Sequence, residues 1–375
     1  MKIAIMTLPL GSNYGGIMQA FALQKILKDI GHEVITVDYD SPPPNLLYRK
    51  ARTSYRICRK LIGKYTKPIN LEDNIEYILE NNLNFINNNI SISKKIYSTD
   101  TLKKHFKQAK YDVVIVGSDQ TWRPKYSPNI YNFYLEFLKK NKDIIKIAYA
   151  SSFGVDKWEY SKKETRKCAK LAKRFDLVSV REQSGVDLCN KFLGIHSVVT
   201  LDPTLLLDKE DYIDLMGNKF KKNKNEGLLT YFLDKNVDKT ESAKLIAKNL
   251  NTYVYNCQSR NNGSHLSDYK MPHISDWLAS FANAQFVLTD SFHGMIFSII
   301  FDKPFLVIVN EERGASRFES FLNQIGGEDH LIYNCNHISK NISSISAIKP
   351  LSKDTIQLKR DFSIKFLKNS INKKI

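Results

Sequence analysis

Short apolar runs alternate with amphipathic stretches from the first residues of the chain. Residues 2–8, KIAIMTL, have the length and composition of a buried strand, and residues 17–30 repeat apolar positions at helical spacing before Gly31. The run EVITVDY at 33–39 then has the character of a second strand. A strand, a helix and a strand in this order predict a βαβ unit, and therefore a parallel sheet.

The same pattern recurs in two sets that a charged stretch separates. Residues 208–226 are rich in charge and poor in core-forming side chains, and we interpret them as the connection between two domains. Further N-terminal strands are predicted in YDVVIVGSDQ, IIKIAYASSFG and FDLVSVREQ. C-terminal strands are predicted in GLLTYFL, TYVYNC, QFVLT and PFLVIV, with helices near 239–249, near 275–284 and from Phe292.

The pattern and the length together predict two α/β domains. A chain of 375 residues exceeds the size at which one core usually stops growing. We expect an N-terminal Rossmann-like domain at 1–207, a linker at 208–226, and a C-terminal Rossmann-like domain at 227–375 that ends in a helix. Open α/β sheets bind ligands at the carboxyl ends of their strands, so the expected active site is a cleft between the two domains.

The composition limits the cellular compartments and the kinds of partner that fit this chain. Five cysteines, without a CxxC pair, indicate a reducing compartment and argue against a disulfide or zinc framework. The chain has no apolar run near the roughly 18 residues of a membrane helix and no signal-peptide pattern, so a cytoplasmic protein is expected. A net charge of +17 favours phosphorylated, carboxylate-bearing or membrane-surface partners, with a solvated basic surface as the alternative.

The segment DSFHG at 290–294 combines a strand end with the start of a helix. Asp290 or Ser291 is placed to act as the N-cap, and His293 and Gly294 then occupy the first turn. Free backbone N–H groups make such a turn an anion site, and glycine lets a ligand approach the backbone. The imidazole can donate a hydrogen bond to the anion or transfer a proton to it. Alternatively, His293 only caps the helix or bonds a neighbouring strand.

Six motifs are distributed over nearly the whole chain: NYGGIMQAFALQ, VGSDQTW, SVREQSG, LDPTLLL, TDSFHGMIFSIIFDKPF and SRFESFL. Together they resemble the polysaccharide pyruvyl transferase family. The resemblance implies a GT-B-like arrangement of two Rossmann-type domains. It also implies transfer of pyruvate from phosphoenolpyruvate onto a sugar of a cell-surface polysaccharide or its lipid-linked precursor, as a ketal that bridges two hydroxyls. Phosphoenolpyruvate is then a co-substrate, and neither a cofactor nor a metal is expected.

The resemblance places the phosphoenolpyruvate site largely in the C-terminal domain. His293 is similar to the family's donor-site histidine and is the expected general acid. Arg181 resembles the arginine that grips the donor's phosphate or carboxylate, although an ion pair with Glu182 is an alternative. Arg317 is a second anion-binding candidate, and Arg313 lies one turn away as its alternative. The expected donor side comprises His293, Arg181, Arg317, Ser291 and Gly294.

The resemblance places the acceptor at the N-terminal turn GSNYGG, residues 11–16. This turn is neither a GxGxxG fingerprint nor a P-loop, and a tight turn with nothing bound is an equal alternative. Asp119, at the end of a predicted strand, is the tentative base, or else it caps the next helix. Trp122 is expected to stack on a sugar face. The expected acceptor side comprises Asn13, Tyr14, Gly15, Gly16 and Trp122.

The run from Arg49 to Lys67 carries eight Lys or Arg residues and no acidic residue. We expect it to form a peripheral contact with an anionic membrane, where a lipid-linked oligosaccharide acceptor would lie. A solvated basic face is the alternative. Nucleic acid is not an expected partner, since no nucleic-acid-binding module accompanies the interleaved aromatic residues.

Two other classes of function remain open from the residues alone. One is a GT-B glycosyltransferase, in which the helix N-terminus that begins near Ser291 holds the diphosphate of a nucleotide sugar. The other is a basic nucleic-acid-binding protein without catalytic activity. The polar residues at the strand ends favour an enzyme over this last class.

Overall fold

Two parallel sheets organise the chain in a computed structural model that describes residues 1–220, 226–309, 314–345 and 347–372. The N-terminal sheet has six strands in the order β2-β1-β3-β4-β5-β6, and the C-terminal sheet has five in the order β11-β10-β9-β7-β8. The first six strands are β1 (Lys2–Met6), β2 (Glu33–Val37), β3 (Val113–Val116), β4 (Ile145–Ser151), β5 (Leu177–Val180) and β6 (Val198–Val199). The others are β7 (Leu228–Tyr231), β8 (Val254–Asn256), β9 (Phe286–Thr289), β10 (Phe305–Ile308) and β11 (Leu331–Ile332).

Helices cover both faces of the sheets. Those of the N-terminal half are α1 (Tyr14–Asp29), α2 (Leu46–Leu61), α3 (Ile75–Asn89), α4 (Thr99–Ala109), α5 (Ile130–Phe133), α6 (Lys162–Ala172) and α7 (Gln183–Leu188). The later ones are α8 (Lys209–Met216), α9 (Val237–Asn249), α10 (Ile274–Asn283), α11 (Phe292–Ile300), α12 (Ser316–Asn323), α13 (Asn336–Lys340), α14 (Ile342–Ile345) and α15 (Asp354–Ile371). The predicted strands are confirmed, and the short strands β6 and β11 are additions to them.

The continuous apolar character of the central strands follows from this layering. Along β1, Ile3 and Ile5 contribute to one core, whereas Ala4 and Met6 contribute to the core on the other face. Successive side chains of a strand point to opposite faces, so a strand covered on both sides must be apolar at every position.

The first of these cores is continuous between the two domains. It contains Ile17 of α1 together with Phe297 of α11. Tyr14 stacks on Trp277 with ring centroids 5.2 Å apart, and its hydroxyl donates to the Pro272 carbonyl at 2.8 Å. Apolar and aromatic contacts therefore hold the domains in one relative orientation, and this orientation positions the cleft.

The predicted division into domains differs from the packing at two places. The predicted linker contains α8, and Tyr212 of that helix is fully buried in the core that joins the domains. The C-terminal helix α15 packs against the N-terminal domain: Arg360 donates to the Leu205 carbonyl, and Phe366 lies against Tyr149. The chain therefore crosses between the domains twice.

Helix α2 lies apart from both cores, and none of its residues is buried. Among the described residues, no helix combines the length and the apolar character that crossing a bilayer requires.

Candidate active site

A cavity of about 500 Å³ lies between the domains, where strands of both sheets end. Its wall includes the turn after β1, the loop after β3, and the start of α11 after β9. Strand ends of two open α/β sheets thus converge on one space, as the topology predicts. Of the residues that the sequence singles out, the cavity is lined by Asn13, Gly15, Asp119, Ser291, His293 and Arg317.

His293 occupies the first turn of α11, and its side chain reaches the cavity wall. Ser291 is the N-cap, because its hydroxyl accepts a hydrogen bond from the Gly294 N–H at 3.3 Å. The imidazole is therefore not used for capping. Its Nε2 lies 3.6 Å from Asp202 Oδ2, longer than a hydrogen bond, and has no hydrogen-bond partner among the described residues. The ring is held in place at only 7% exposure, and Nε2 is buried on the side that faces Asp202.

Gly15 brings the N-terminus of α1 directly against the His293 ring. A Cβ added to Gly15 would lie 2.1 Å from His293 Nδ1, which is far inside van der Waals contact. The neighbouring Gly16 is less restricted, because its Cβ would meet Asn13 Nδ2 at 3.1 Å. The N-termini of α1 and α11, one from each domain, therefore meet at the histidine. Two helix N-termini on one cavity favour a negatively charged ligand.

Gly15→Ala is expected to displace His293 and to lower turnover at least about tenfold, since small shifts of catalytic groups are costly. Gly16→Ala is the matched control in the same helix and should remain within about threefold of the wild type. Steady-state kinetics of both variants, alongside their thermal melts, measure the effect. Equal kinetics for the two variants would contradict the contact between Gly15 and the histidine.

Gly294 has a different role from the one predicted. A Cβ there would lie 2.3 Å from Thr289 Oγ1 and 3.1 Å from Tyr231. Its missing side chain therefore permits α11 to pack closely on β9 and β7. The prediction that Gly294 opens the backbone to a ligand is not supported, because Gly294 does not line the cavity and its N–H is used by Ser291.

Asp202 is the site residue that the residue-level reasoning missed, although it lies within the quoted motif LDPTLLL. It follows β6, and its side chain accepts hydrogen bonds from Arg181 Nη1 at 2.8 Å and from the Thr204 hydroxyl at 2.8 Å. Burial by itself raises the pKa of Asp202, but His293 and Arg181 outweigh burial and hold that pKa well below its usual range. A polar residue directly after a strand was the signal available in the sequence.

Arg181 lies behind the cavity wall and is not among the residues that line it. Besides its bond to Asp202, it approaches Asp119 at 3.6 Å and Glu182 at 4.0 Å. Burial lowers the pKa of Arg181, but Asp202, Asp119 and Glu182 together raise it above its ordinary value. The structure therefore gives Arg181 the role of fixing carboxylates, with Asp202 and not Glu182 as its nearest partner.

Arg317, on α12, lines the cavity. Its guanidinium lies 5.8 Å from the centre of the Phe292 ring, and the guanidinium of Arg181 lies 4.5 Å from the same ring. Burial, and secondly the charge of Arg181, lower the pKa of Arg317 to about 10. Arg313, its alternative, lies outside the described residues.

Asp119 follows β3 and lines the cavity next to Asn13, whose side-chain amide donates to it at 3.3 Å. The alternative role of a helix cap does not apply, because the next helix after Asp119 is α5, which begins at Ile130. Asn13 occupies the N-cap position of α1 without capping it. Both side chains are thus directed to the cavity region instead of to helix ends.

Two predicted acceptor residues are structural. Trp122 is 0% exposed, stacks on Tyr134 at 4.8 Å and donates its indole N–H to the Phe133 carbonyl. It has no surface with which to stack on a sugar, so this prediction is wrong. Tyr14 joins the domains through Trp277 and does not line the cavity, and neither does Gly16.

Asp290 also lines the cavity, on the wall formed by the C-terminal domain. Asp290 accepts hydrogen bonds from the backbone N–H groups of Leu233 and Asp234, at 2.6 and 3.1 Å, and pairs with Lys239 at 2.6 Å. It therefore does not cap α11. Instead, it ties the loop after β7 to the start of α11 and fixes that side of the cavity.

Solved structures with this arrangement of two parallel sheets belong to GT-B glycosyltransferases and epimerases. The chain is similar to UDP-GlcNAc 2-epimerase from Methanocaldococcus jannaschii, with 12% identity and a TM-score of 0.56 over 98% of this chain and 99% of that one. It is also similar to a glycosyltransferase from Rickettsia africae, with 12% identity and a TM-score of 0.52 over 99% and 96% of the two chains. At such identity the likeness establishes the fold alone. The predicted two-domain GT-B-like fold is thereby confirmed.

The sequence itself identifies the family within this fold class. No curated protein matches the sequence. The family model described as polysaccharide pyruvyl transferase matches residues 13–312, which is most of the chain. The protein therefore belongs to the polysaccharide pyruvyl transferase family.

Proposed function

We propose that the protein transfers pyruvate from phosphoenolpyruvate to a sugar and forms a ketal in the cavity between its domains. The observation that carries this proposal is a histidine at the junction of two helix N-termini, in a cavity that the buried Arg317 also lines. A proton donor beside an anion site is what an enol phosphate requires, because its double bond must be protonated while its phosphate is held.

The imidazole of His293 acts as the general acid. It transfers a proton to C3 of phosphoenolpyruvate, so that the methylene becomes a methyl group and C2 gains oxocarbenium character. A sugar hydroxyl adds to C2 and gives its proton to Asp119, the base assigned by its position on the cavity wall. The bond from C2 to the phosphate oxygen then breaks, inorganic phosphate leaves with the bonding electrons, and C2 again gains oxocarbenium character. A second hydroxyl of the same sugar adds to C2 and gives its proton to the departing phosphate, which closes the ketal.

The negative charges of the donor are bound by Arg317 and by the helix N-termini. A guanidinium can engage a phosphate or a carboxylate through two parallel hydrogen bonds, and it keeps its charge at neutral pH. Arg181 supports the donor site indirectly, because it holds Asp202 in place beside His293.

Arg317→Lys is expected to raise the KM for phosphoenolpyruvate about tenfold or more, because an ammonium cannot reproduce the planar pair of donors. The KM for the sugar acceptor should change little. Initial rates with each substrate varied in turn separate the two constants. If only the acceptor's KM changed, Arg317 would belong to the acceptor site and its assignment to the donor would be wrong.

The acceptor is assigned to the N-terminal wall, where Asn13 and Asp119 provide polar groups. Tyr126 also lines the cavity and is 40% exposed. The guanidinium of Arg123 lies 5.0 Å from the centre of its ring, so we assign the other face to a sugar ring. Tyr126 thus takes the stacking role that was predicted for Trp122.

Donor preference tests the proposal directly. Phosphoenolpyruvate at about 100 times its Kd would stabilise the protein by about 2.7 kcal/mol and raise its melting temperature by several degrees. Phosphate release with phosphoenolpyruvate and a panel of nitrophenyl- or lipid-linked sugars would identify the acceptor. UDP-GlcNAc is the comparison ligand, because a glycosyltransferase with a nucleotide-sugar donor is the alternative. Protection by UDP-GlcNAc without protection by phosphoenolpyruvate would contradict the proposal.

A further inference from the structure

Helix α2 exposes an unusual face to solvent. It begins after Asn45, whose side chain caps it by accepting from the Tyr48 N–H, and it contains no buried residue over its 16 residues. Helices on a domain surface normally turn their apolar stripe inward. Helix α2 instead turns its apolar side chains toward solvent.

The basic face of α2 is the one that contacts the protein. Arg49 is paired with Asp73, and Arg56 is paired with Glu72. Arg52 lies 3.7 Å from the same Glu72. These two acidic residues sit just before α3, so they fasten the arginine side of α2 to the N-terminal domain.

The opposite side carries large apolar side chains that touch little of the protein, and the helical spacing places Lys50 and Ser54 between them. With 100° per residue, four of its members fall within an arc of about 100°. The most exposed are Leu47 at 79% and Leu61 at 82%. Seven of the nineteen exposed large hydrophobic residues described lie between positions 46 and 62. We define the α2 apolar face as Leu46, Leu47, Ile57, Leu61 and Ile62.

Positive charges lie on this face, at Lys50, and beside it, without carboxylate partners. Within the described residues, no carboxylate oxygen lies within 4 Å of a cationic nitrogen on the remaining basic residues of the segment. The chain from 41 to 71 contains no acidic residue at all. These unpaired basic residues are Lys50, Arg59, Lys60, Lys64 and Lys67.

We propose that the α2 apolar face docks into the interfacial region of an anionic lipid bilayer. An apolar arc bordered by cations fits acyl chains below and acidic headgroups around it. Tyr48 and Tyr55 are exposed between the arc and the arginine side, and their amphipathic rings suit the depth of the headgroups. A second copy of the chain fits poorly, because two strongly basic helices would face each other. This inference does not depend on the proposed reaction.

The mode of docking differs from the one that charge alone predicts. Arg49 and Arg56 are engaged by Asp73 and Glu72, so they hold the helix in place and are not available to lipid. Apolar insertion supplies the main attraction, and the unpaired lysines provide the preference for acidic lipid. Binding should therefore weaken with salt without vanishing, since salt screens only the charges.

Vesicle flotation of the full chain tests the proposal. The wild type should bind vesicles of phosphatidylglycerol and phosphatidylcholine and should bind pure phosphatidylcholine more weakly. Leu47→Ser with Leu61→Ser should lower the affinity about tenfold or more. The matched control is Val237→Ser with Leu358→Ser, which removes two equally exposed apolar side chains elsewhere and should leave binding unchanged. Lys60→Gln with Lys64→Gln should cost about fivefold per charge at low salt only.

Insertion can be observed at Cys58, which is exposed on α2 while Cys168, Cys189 and Cys257 are buried. An environment-sensitive fluorophore on Cys58, in a Cys335→Ser background, should brighten with anionic vesicles. An unchanged probe signal, or equal vesicle binding by the leucine double variant and the wild type, would overturn the proposal. A wild-type dimer that the leucine substitutions convert to a monomer would also overturn it, by making the face a self-association surface.

Discussion

His293→Ala is expected to lower turnover by about 10²- to 10⁴-fold, the usual cost of losing a general acid. The imidazole lines the cavity, and its Nε2 has no hydrogen-bond partner among the described residues. Its removal therefore breaks no hydrogen bond at that nitrogen, and the melting temperature should change by only a few degrees. Steady-state kinetics with phosphoenolpyruvate and a thermal melt of the same preparation measure both effects.

His330→Ala is the matched control for this prediction. His330 is also buried in the C-terminal domain, but its Nδ1 bonds the Phe305 carbonyl at 2.8 Å and it lies outside the cavity. This variant should lose stability and retain its turnover. Activity of His293→Ala within about threefold of the wild type would disprove the assignment of the general acid.

Asp202→Ala is expected to cost about 3–5 kcal/mol of unfolding free energy, because it removes the hydrogen-bonded partner of a buried arginine. Asp119 and Glu182 remain near Arg181, but at 3.6 and 4.0 Å they cannot replace the 2.8 Å hydrogen bond. Urea denaturation measures the loss. Asp29→Ala, which removes an exposed pair with Lys25, is the control and should cost less than about 1 kcal/mol. A similar cost for both variants would show that the buried network does not stabilise the fold.

The pH dependence of this difference follows from the direction of the pKa shift. The folded state lowers the pKa of Asp202, so its carboxylate stabilises the fold above the unfolded pKa of about 4. That contribution fades as the pH falls below this value, because the unfolded chain takes up the proton more readily. The gap in stability between the wild type and Asp202→Ala should therefore narrow in acid.

Local sequence patterns were sufficient for the fold and for the position of the central residue. Alternating strands and amphipathic helices predicted both parallel sheets, since the period of apolar positions reflects the geometry of each element. The order of strand, cap, His and Gly placed His293 in the first turn of α11, and Ser291 is its cap. Such features depend on neighbours within a few residues, which the sequence displays directly.

The orientation of side chains within those elements was decided by tertiary packing. Trp122 and Arg181 both stand near strand ends, as site residues do, yet one packs in the core and the other lies behind the wall. The periodicity of α2 marks an apolar face without showing that this face points outward, which depends on the pairing of its arginines with Glu72 and Asp73.

The sequence by itself therefore determined two α/β domains, a cleft at their strand ends, and a histidine at a helix start. Only the tertiary structure decided that Gly15 touches His293 and that Asp202 lies beside it. The physical reason is that these contacts join segments far apart in the chain. Which distant groups meet depends on how the two sheets pack through their shared core, and no local period of the sequence encodes that arrangement.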